Sequence, residues 1–234
     1  MEIYSRFTIV AAFIFWLGFL PSVYSYDVQG KISVAPPFST AKKIQVPEKH
    51  QSSCHKEQTS QSLIVSNDGY LQNAVISLKG DFKGHPSQEM PSFTMDQKNC
   101  NFEPHILIVP ENSSFWVANS DPMAHDVRVF RDADMLFRFE MDVSEKPVEK
   151  KLEKGTYLVR CGLHPWMHAF IITTAHSYYA VSNEKGEFAL NDVPAGKHIL
   201  HIWHETLGEA EIPIEVTHSI QDFSYTFPSS IQNA

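Results

Sequence analysis

Short apolar segments separated by turn-forming residues run through most of the chain. In the stretches 127–130, 156–160 and 199–203, β-branched and aromatic residues predominate or alternate with polar ones, which is typical of strands. Turn formers such as Asn67-Asp68-Gly69 and Glu184-Lys185-Gly186 lie between such stretches. No long window after the first 25 residues shows a helical period. The pattern predicts an all-β protein built as a sandwich or barrel.

The length and charge of the chain narrow its functional class. Its 234 residues, 43% of them hydrophobic, are enough for one large β domain or two small ones. The formal net charge is −8, whereas binding to a phosphate backbone or an anionic membrane depends on clustered Lys and Arg. We therefore expect no nucleic-acid partner.

The first 25 residues have the pattern of a signal peptide. Arg6 precedes the apolar run 7–20, and small residues follow at 23–25. The run is shorter than the ~20 residues that span a bilayer, which favours cleavage after Ser25 over an uncleaved anchor. No later segment is long and apolar enough to span a membrane. The sequence thus predicts a periplasmic or secreted protein with no membrane span after cleavage.

Export changes how the three cysteines are interpreted. An oxidising compartment favours a disulfide and leaves one thiol over. Cys54 and Cys100 lie in polar, turn-like surroundings, whereas Cys161 ends an apolar strand and is soon followed by His and Met. We predict a Cys54–Cys100 disulfide and a free Cys161.

The segment Cys161-Gly-Leu-His164-Pro-Trp-Met167 contains the side chains that an electron-transfer copper site requires. Such a site takes two imidazoles and a thiolate, with a weak axial thioether. One loop can present three of these ligands, and the fourth must come from a neighbouring strand. Taken singly, each residue is more often ordinary core filler, so the joint spacing carries the prediction. His168 competes with Met167, but strand alternation places it on the opposite face.

These motifs resemble the cupredoxins, and the Cys-x-x-His-Pro-aromatic-Met loop is especially similar to the amicyanin branch. The turn at Asn119-x-Asp121 before His125 and the strand that begins at Gly155-x-Tyr157 also match that family. The resemblance implies one type 1 (blue) copper site. Its ligands would be His125, Cys161, His164 and Met167. Asp126 departs from the asparagine common after the first histidine, whose amide ties the ligand loops together.

Two other segments resemble the carboxypeptidase regulatory-like, transthyretin-like β-sandwich. They are residues 68–80 and the pattern Gly186-x-Phe-x-Leu…Gly196-x-His198-x-Leu-x-Ile, in which His198 replaces the usual aromatic residue. The resemblance implies a cupredoxin-like Greek-key sandwich inserted into a second small β-sandwich. The predicted division is a signal peptide at 1–25, an irregular N-terminal segment at 26–62, a discontinuous transthyretin-like sandwich at 63–89 and 176–234, and a cupredoxin domain at 90–175.

Four protein ligands leave copper no open position for a substrate, so we expect an electron carrier and not an enzyme. By resemblance, a redox partner protein would dock near His164 and Trp166. The alternative is an extracytoplasmic binding module for a protein or glycan, with structural or stored copper. An enzyme would need a second, open metal site. His201 and His204 could contribute to one, although strand or turn histidines without a metal are the favoured interpretation.

Overall fold

A computed structural model describes residues 24–80, 82 and 92–229. The all-β prediction is confirmed, because the described residues form eighteen strands, a 3-10 turn at Glu48–His50 and one short helix, α1 (Gln51–Cys54). The strands are β1 (Ser25–Val34), β2 (Lys43–Gln45), β3 (Glu57–Thr59), β4 (Val75–Leu78), β5 (Thr94–Lys98), β6 (Asn101–Glu103), β7 (Ile106–Pro110), β8 (Ser114–Asn119), β9 (His125–Arg131), β10 (Asp134–Met141), β11 (Val148–Lys151), β12 (Gly155–Cys161), β13 (His168–Thr174), β14 (Tyr179–Val181), β15 (Glu187–Pro194), β16 (Gly196–His204), β17 (Gly208–Val216) and β18 (Ile220–Phe227).

Strands β5 to β13 form one sandwich. Its sheets have the orders β10-β9-β12-β13-β7 and β11-β8-β5-β6, with β13/β7 and β5/β8 parallel. Along β12, alternation buries Tyr157, Val159 and Cys161, so the inward row of that strand ends at the thiol. The core between the sheets also contains Met95, Phe102, Phe115, Val117, Val129, Met141 and Ile171.

Strands β1, β4 and β14 to β18 form a second sandwich. Its sheets have the orders β15-β1-β18 and β14-β4-β16-β17, and they enclose Val28, Ile32, Ile76, Leu200 and Ile202. A Cβ at Gly30 would collide with the backbone of Phe223 on β18, so only glycine allows β1 and β18 to approach this closely. The predicted transthyretin-like character of this sandwich stays a prediction.

The prediction that residues 26–62 are irregular is wrong in part. Residues 26–34 belong to β1, which buries Val28, Ile32 and Val34. The register shift between Tyr26 and Val28, together with Gly30, interrupts the period of two and concealed the strand. The predicted boundary at 175 lies between β13 and β14, and residues 83–91, which include the other boundary, lie outside the described residues.

The segment after β1 packs on both sandwiches: Phe38 packs on the second, whereas Val46 and Cys54 lie in the core of the first. The strands β2 and β3 pair with each other, and the 3-10 turn and α1 form the connection between them, with Val46 at its start and Cys54 near its end. The predicted disulfide between Cys54 and Cys100 is present, and Cys161 is free and buried. The disulfide therefore ties this segment to the turn between β5 and β6.

The two sandwiches meet at an apolar interface. Val75 of the second sandwich packs with Ile106 and Ile172 of the first, and Phe170 and Trp203 border this cluster. The rings of Phe170 and Trp203 meet edge to face, with centroids 5.1 Å apart. The ends of β13 and β16 are thereby held side by side.

The N-terminal prediction falls almost wholly outside the described residues. Of residues 1–25, only Tyr24 and Ser25 are described, and Ser25 is the first residue of β1. In the described part of the chain, no helix has both the length and the hydropathy needed to cross a bilayer.

Candidate metal centre

Two neighbouring strands and one loop bring three of the predicted ligands together. His125 is the first residue of β9, and Cys161 is the last residue of the adjacent antiparallel β12. The loop from Cys161 to Met167 closes on itself, because the amide of Met167 donates to the carbonyl of His164 (2.9 Å) and that of Cys161 donates to the carbonyl of Met167 (3.1 Å). This closed loop places His164 above the end of β12.

One nitrogen or sulfur atom from each of these three side chains forms a compact triangle. Cys161 Sγ lies 3.6 Å from His125 Nδ1 and 3.5 Å from His164 Nδ1, and the two nitrogens are 3.1 Å apart. A triangle with these sides has a centre about 2.0 Å from each corner, close to the ~2.0–2.3 Å bonds of a metal to imidazole nitrogen and thiolate sulfur. The three side chains are at most 5% exposed. The group therefore fits a single metal ion of copper or zinc size.

Asp121 determines which nitrogen of His125 faces the triangle. The Asp121 carboxylate accepts a hydrogen bond from His125 Nε2–H at 2.9 Å, and both side chains are buried. A bond at Nε2 leaves Nδ1 free for a metal and fixes the ring orientation. The same carboxylate accepts the amide of Cys100 at 2.9 Å. Asp121 thus links the first histidine to the disulfide.

The Cys161 sulfur is surrounded by hydrogen-bond donors. Burial alone would raise its pKa, but hydrogen bonds from His125, His164 and the backbone N–H groups of Asp126 and Leu163 lower the pKa of the thiol to about 6. Burial likewise opposes protonation of His125, yet its bonds to Asp121 and Cys161 raise the pKa of that imidazole to about 9. A thiolate is the form that binds metal.

Met167 is 1% exposed and belongs to the same buried cluster as Cys161. Its backbone closes the ligand loop, and its role as the axial ligand stays a prediction. His168, its predicted competitor, lies apart from the triangle, because its Nε2 bonds Glu205 at 2.8 Å.

Asp126 does not tie the ligand loops through its side chain. Its carboxylate accepts Arg128 Nε at 2.8 Å and Arg138 Nε at 3.1 Å. Its backbone carbonyl instead accepts the amide of Gly162 at 2.8 Å. A main-chain hydrogen bond, which any residue at position 126 can form, therefore joins strand β9 to the loop from Cys161 to Met167.

The surface above His164 is formed by aromatic and apolar residues. The imidazole of His50 meets that of His164 edge to face with centroids 4.7 Å apart, and Trp166 lies 5.3 Å from the same ring. Trp166 Nε1 donates to the carbonyl of Cys100 at 3.1 Å. Leu163 and Pro165 are exposed beside them.

The sequence alone did not identify Asp121 as the residue orienting His125, or His50 as a neighbour of His164. Asp121 could have been found from its position four residues before a ligand, whereas no sequence signal connects His50 with the loop. His201 and His204 do not come together as a ligand pair: His201 bonds Glu209 on β17 at 2.9 Å, and His204 is buried and belongs to neither candidate metal group found in the described residues.

No protein-family model and no curated protein matches the chain. Among solved structures, the chain is similar to a purple cupredoxin from Nitrosopumilus maritimus, with 17% identity over 35% of this chain and 98% of that one and a TM-score of 0.31. The chain is also similar to a reduced amicyanin that carries a tryptophan-to-tyrosine substitution, with 17% identity over 42% of this chain and 98% of that one and a TM-score of 0.33. Its similarity to a copper-containing nitrite reductase from Thermus scotoductus SA-01 has 20% identity over 41% of this chain and 25% of that one, with a TM-score of 0.31.

Proposed function

We propose that the protein is an exported, mononuclear type 1 copper protein that carries single electrons between redox partners. The observation that supports this most is the buried triangle of Cys161 Sγ, His125 Nδ1 and His164 Nδ1. Two imidazoles and one thiolate in a trigonal set are the ligands of electron-transfer copper. Copper bound there would supply a one-electron couple.

The residues around the triangle suit a centre that changes charge with little movement. Asp121 holds His125, two backbone amides donate to the Cys161 sulfur, and the ligand loop is closed by main-chain bonds. Side chains fixed in this way keep one geometry in both oxidation states, which limits reorganisation. Met167 is proposed as the weak axial ligand.

The docking surface for a redox partner is proposed to be the patch formed by Leu163, Pro165, Trp166 and His50. Leu163 is 46% exposed, and the patch lies directly over the buried ring of His164. A small apolar patch favours brief association, as electron exchange requires. Export to the periplasm or outside the cell is part of the same proposal and rests on the N-terminal sequence.

Voltammetry of the copper-loaded protein tests electron transfer against copper storage. We expect a reversible one-electron wave, and Met167→Leu should shift its potential because the axial ligand tunes the couple. Met123→Leu is the matched control, since its thioether lies 3.6 and 3.8 Å from the disulfide sulfurs. Irreversible release of copper on reduction would favour a storage or binding role. An unchanged potential in Met167→Leu would remove that residue from the site.

A further inference from the structure

A second group of metal-ligating side chains lies where the two sandwiches meet. His105 precedes β7, His168 begins β13, and Glu205 lies in the turn between β16 and β17. One ligand atom from each residue lies within 4.8 Å of the others. The proposed function uses none of these residues.

Glu205 is bound by both histidines at once. His105 Nε2 lies 2.5 Å from one carboxylate oxygen, and His168 Nε2 lies 2.8 Å from the other. The side chains of His105, His168 and Glu205 are 3%, 19% and 13% exposed. Two imidazole nitrogens and a carboxylate are thus directed at one partly shielded point.

The surroundings of His168 match those of a metal ligand. Its Nδ1 lies 3.4 Å from the carbonyl of Trp166, so a proton on Nδ1 leaves Nε2 free to bind a metal. The hydroxyl of Ser62 lies 3.4 Å from the same Nε2. Thr206, next to Glu205, donates to the carbonyl of Ser62 at 2.5 Å, which fixes the turn that presents the carboxylate.

Without a metal, hydrogen bonds join the two imidazoles to the Glu205 carboxylate. Each imidazole can share a proton with one oxygen of the Glu205 carboxylate, at 2.5 Å for His105 and 2.8 Å for His168. A divalent cation would replace those protons as the partner of the carboxylate.

We propose that His105, His168 and Glu205 form a second metal site, which binds a divalent first-row transition ion such as Zn²⁺ and holds the two sandwiches together. Two imidazoles and one carboxylate suit such an ion, and a three-ligand set leaves a position for water or a small ligand. The site differs from the predicted His201/His204 pair, because it uses Glu205 and draws its histidines from the other sandwich. It goes beyond the proposed electron carrier and does not depend on it.

Calorimetric titration with Zn²⁺, followed by desalting and metal analysis, tests the site in the full chain carrying one equivalent of copper. We expect the protein to bind one further equivalent, and Glu205→Gln and His105→Gln each to weaken this binding at least tenfold. His201→Gln is the matched control and should bind Zn²⁺ as the wild type does. Glu205→Gln retains an amide that can hydrogen-bond both imidazoles, so loss of binding without loss of the folded circular-dichroism spectrum separates ligation from unfolding.

Thermal unfolding gives a second measurement. Zn²⁺ should raise the Tm of the wild type and of His201→Gln but not of Glu205→Gln, because an ion that binds only the folded state stabilises it. The proposal is wrong if the wild type binds no further equivalent of Zn²⁺ when Zn²⁺ is present at about 100 times the protein concentration. It is also wrong if Glu205→Gln still binds that equivalent. In either case the three residues form only a structural ion pair. The difference of one zinc equivalent between wild type and Glu205→Gln remains measurable even if the Cys161 centre does not bind copper.

Discussion

The ring of His50 lies edge to face on the ring of His164, with centroids 4.7 Å apart, and covers this proposed ligand, which is only 2% exposed. Removing that cover should let electron donors and acceptors approach the ligand more closely. We predict that His50→Ala accelerates oxidation by a small inorganic oxidant several-fold, as measured by stopped-flow absorption. The visible spectrum should not change, because His50 is not a ligand.

Lys49→Ala is the control for this comparison, since Lys49 is exposed on the same turn and has no ring contact with His164. An equal or slower rate in His50→Ala would show that the surface above His164 does not limit access.

The bond between Asp121 and His125 predicts a loss of copper affinity when the carboxylate is removed. Asp121→Ala should weaken copper binding by about 10- to 100-fold, the usual effect of losing a partner that orients a ligand. A competition titration against a chelator measures this. Asp96→Ala is the matched control, because the Asp96 carboxylate accepts hydrogen bonds from Ser120, which is not a proposed ligand. Equal affinities in the two variants would contradict the orienting role of Asp121.

Replacing Asp126 distinguishes the role of its backbone carbonyl, which bonds the Gly162 amide, from that of its carboxylate, which bonds Arg128 and Arg138. Asp126→Asn loses charge-assisted bonds to Arg128 and Arg138, at a cost of about 1–3 kcal/mol in the free energy of unfolding. The copper spectrum should persist, since the Gly162 amide still meets the carbonyl of residue 126. Chemical denaturation and absorption measure the two effects, with the exposed Asp134→Asn as control. Loss of the spectrum would mean that the carboxylate itself shapes the site.

The Cys54–Cys100 disulfide should stabilise both the fold and the cover over the metal centre. It joins residues 46 positions apart, so Cys54→Ala/Cys100→Ala should lower the free energy of unfolding by about 2–4 kcal/mol. Freed from this link, the turn that carries His50 should exchange its amide hydrogens faster, which mass spectrometry can follow. If exchange in residues 48–54 is unchanged, the packing of Val46 and its neighbours holds the segment without the disulfide.

The sequence predicted those parts of the fold and of the site that a short stretch of residues determines by itself. The runs at 127–130, 156–160 and 199–203 lie in the strands β9, β12 and β16 as predicted, and the disulfide followed from the surroundings of the cysteines. Cys161 and His164 lie in one loop, so their spacing alone indicated a common site. His125 was reached only through resemblance, because its distance along the chain says nothing of its position in the sheet.

The sequence could not predict contacts made across the chain by polar side chains. Strand β5 buries Gln97, whose amide donates to the carbonyl of Ala118, and its polar composition concealed the strand. His105 and Glu205 are hydrogen-bonded although they are 100 residues apart. Such pairs depend on how β7 and the β16–β17 turn lie relative to each other in the fold. The hydrophobic pattern of neither segment predicts that arrangement.

Cys161 is proposed to bind copper as a thiolate together with His125 and His164, and the whole functional account depends on this bond. Combined absorption and spin-resonance spectroscopy of the full chain with one equivalent of Cu²⁺ tests it most directly. We predict an intense visible thiolate-to-copper band, which Cys161→Ser abolishes while the variant stays folded and His198→Gln retains the band. Copper that binds without this band, or a band that survives Cys161→Ser, would contradict the account.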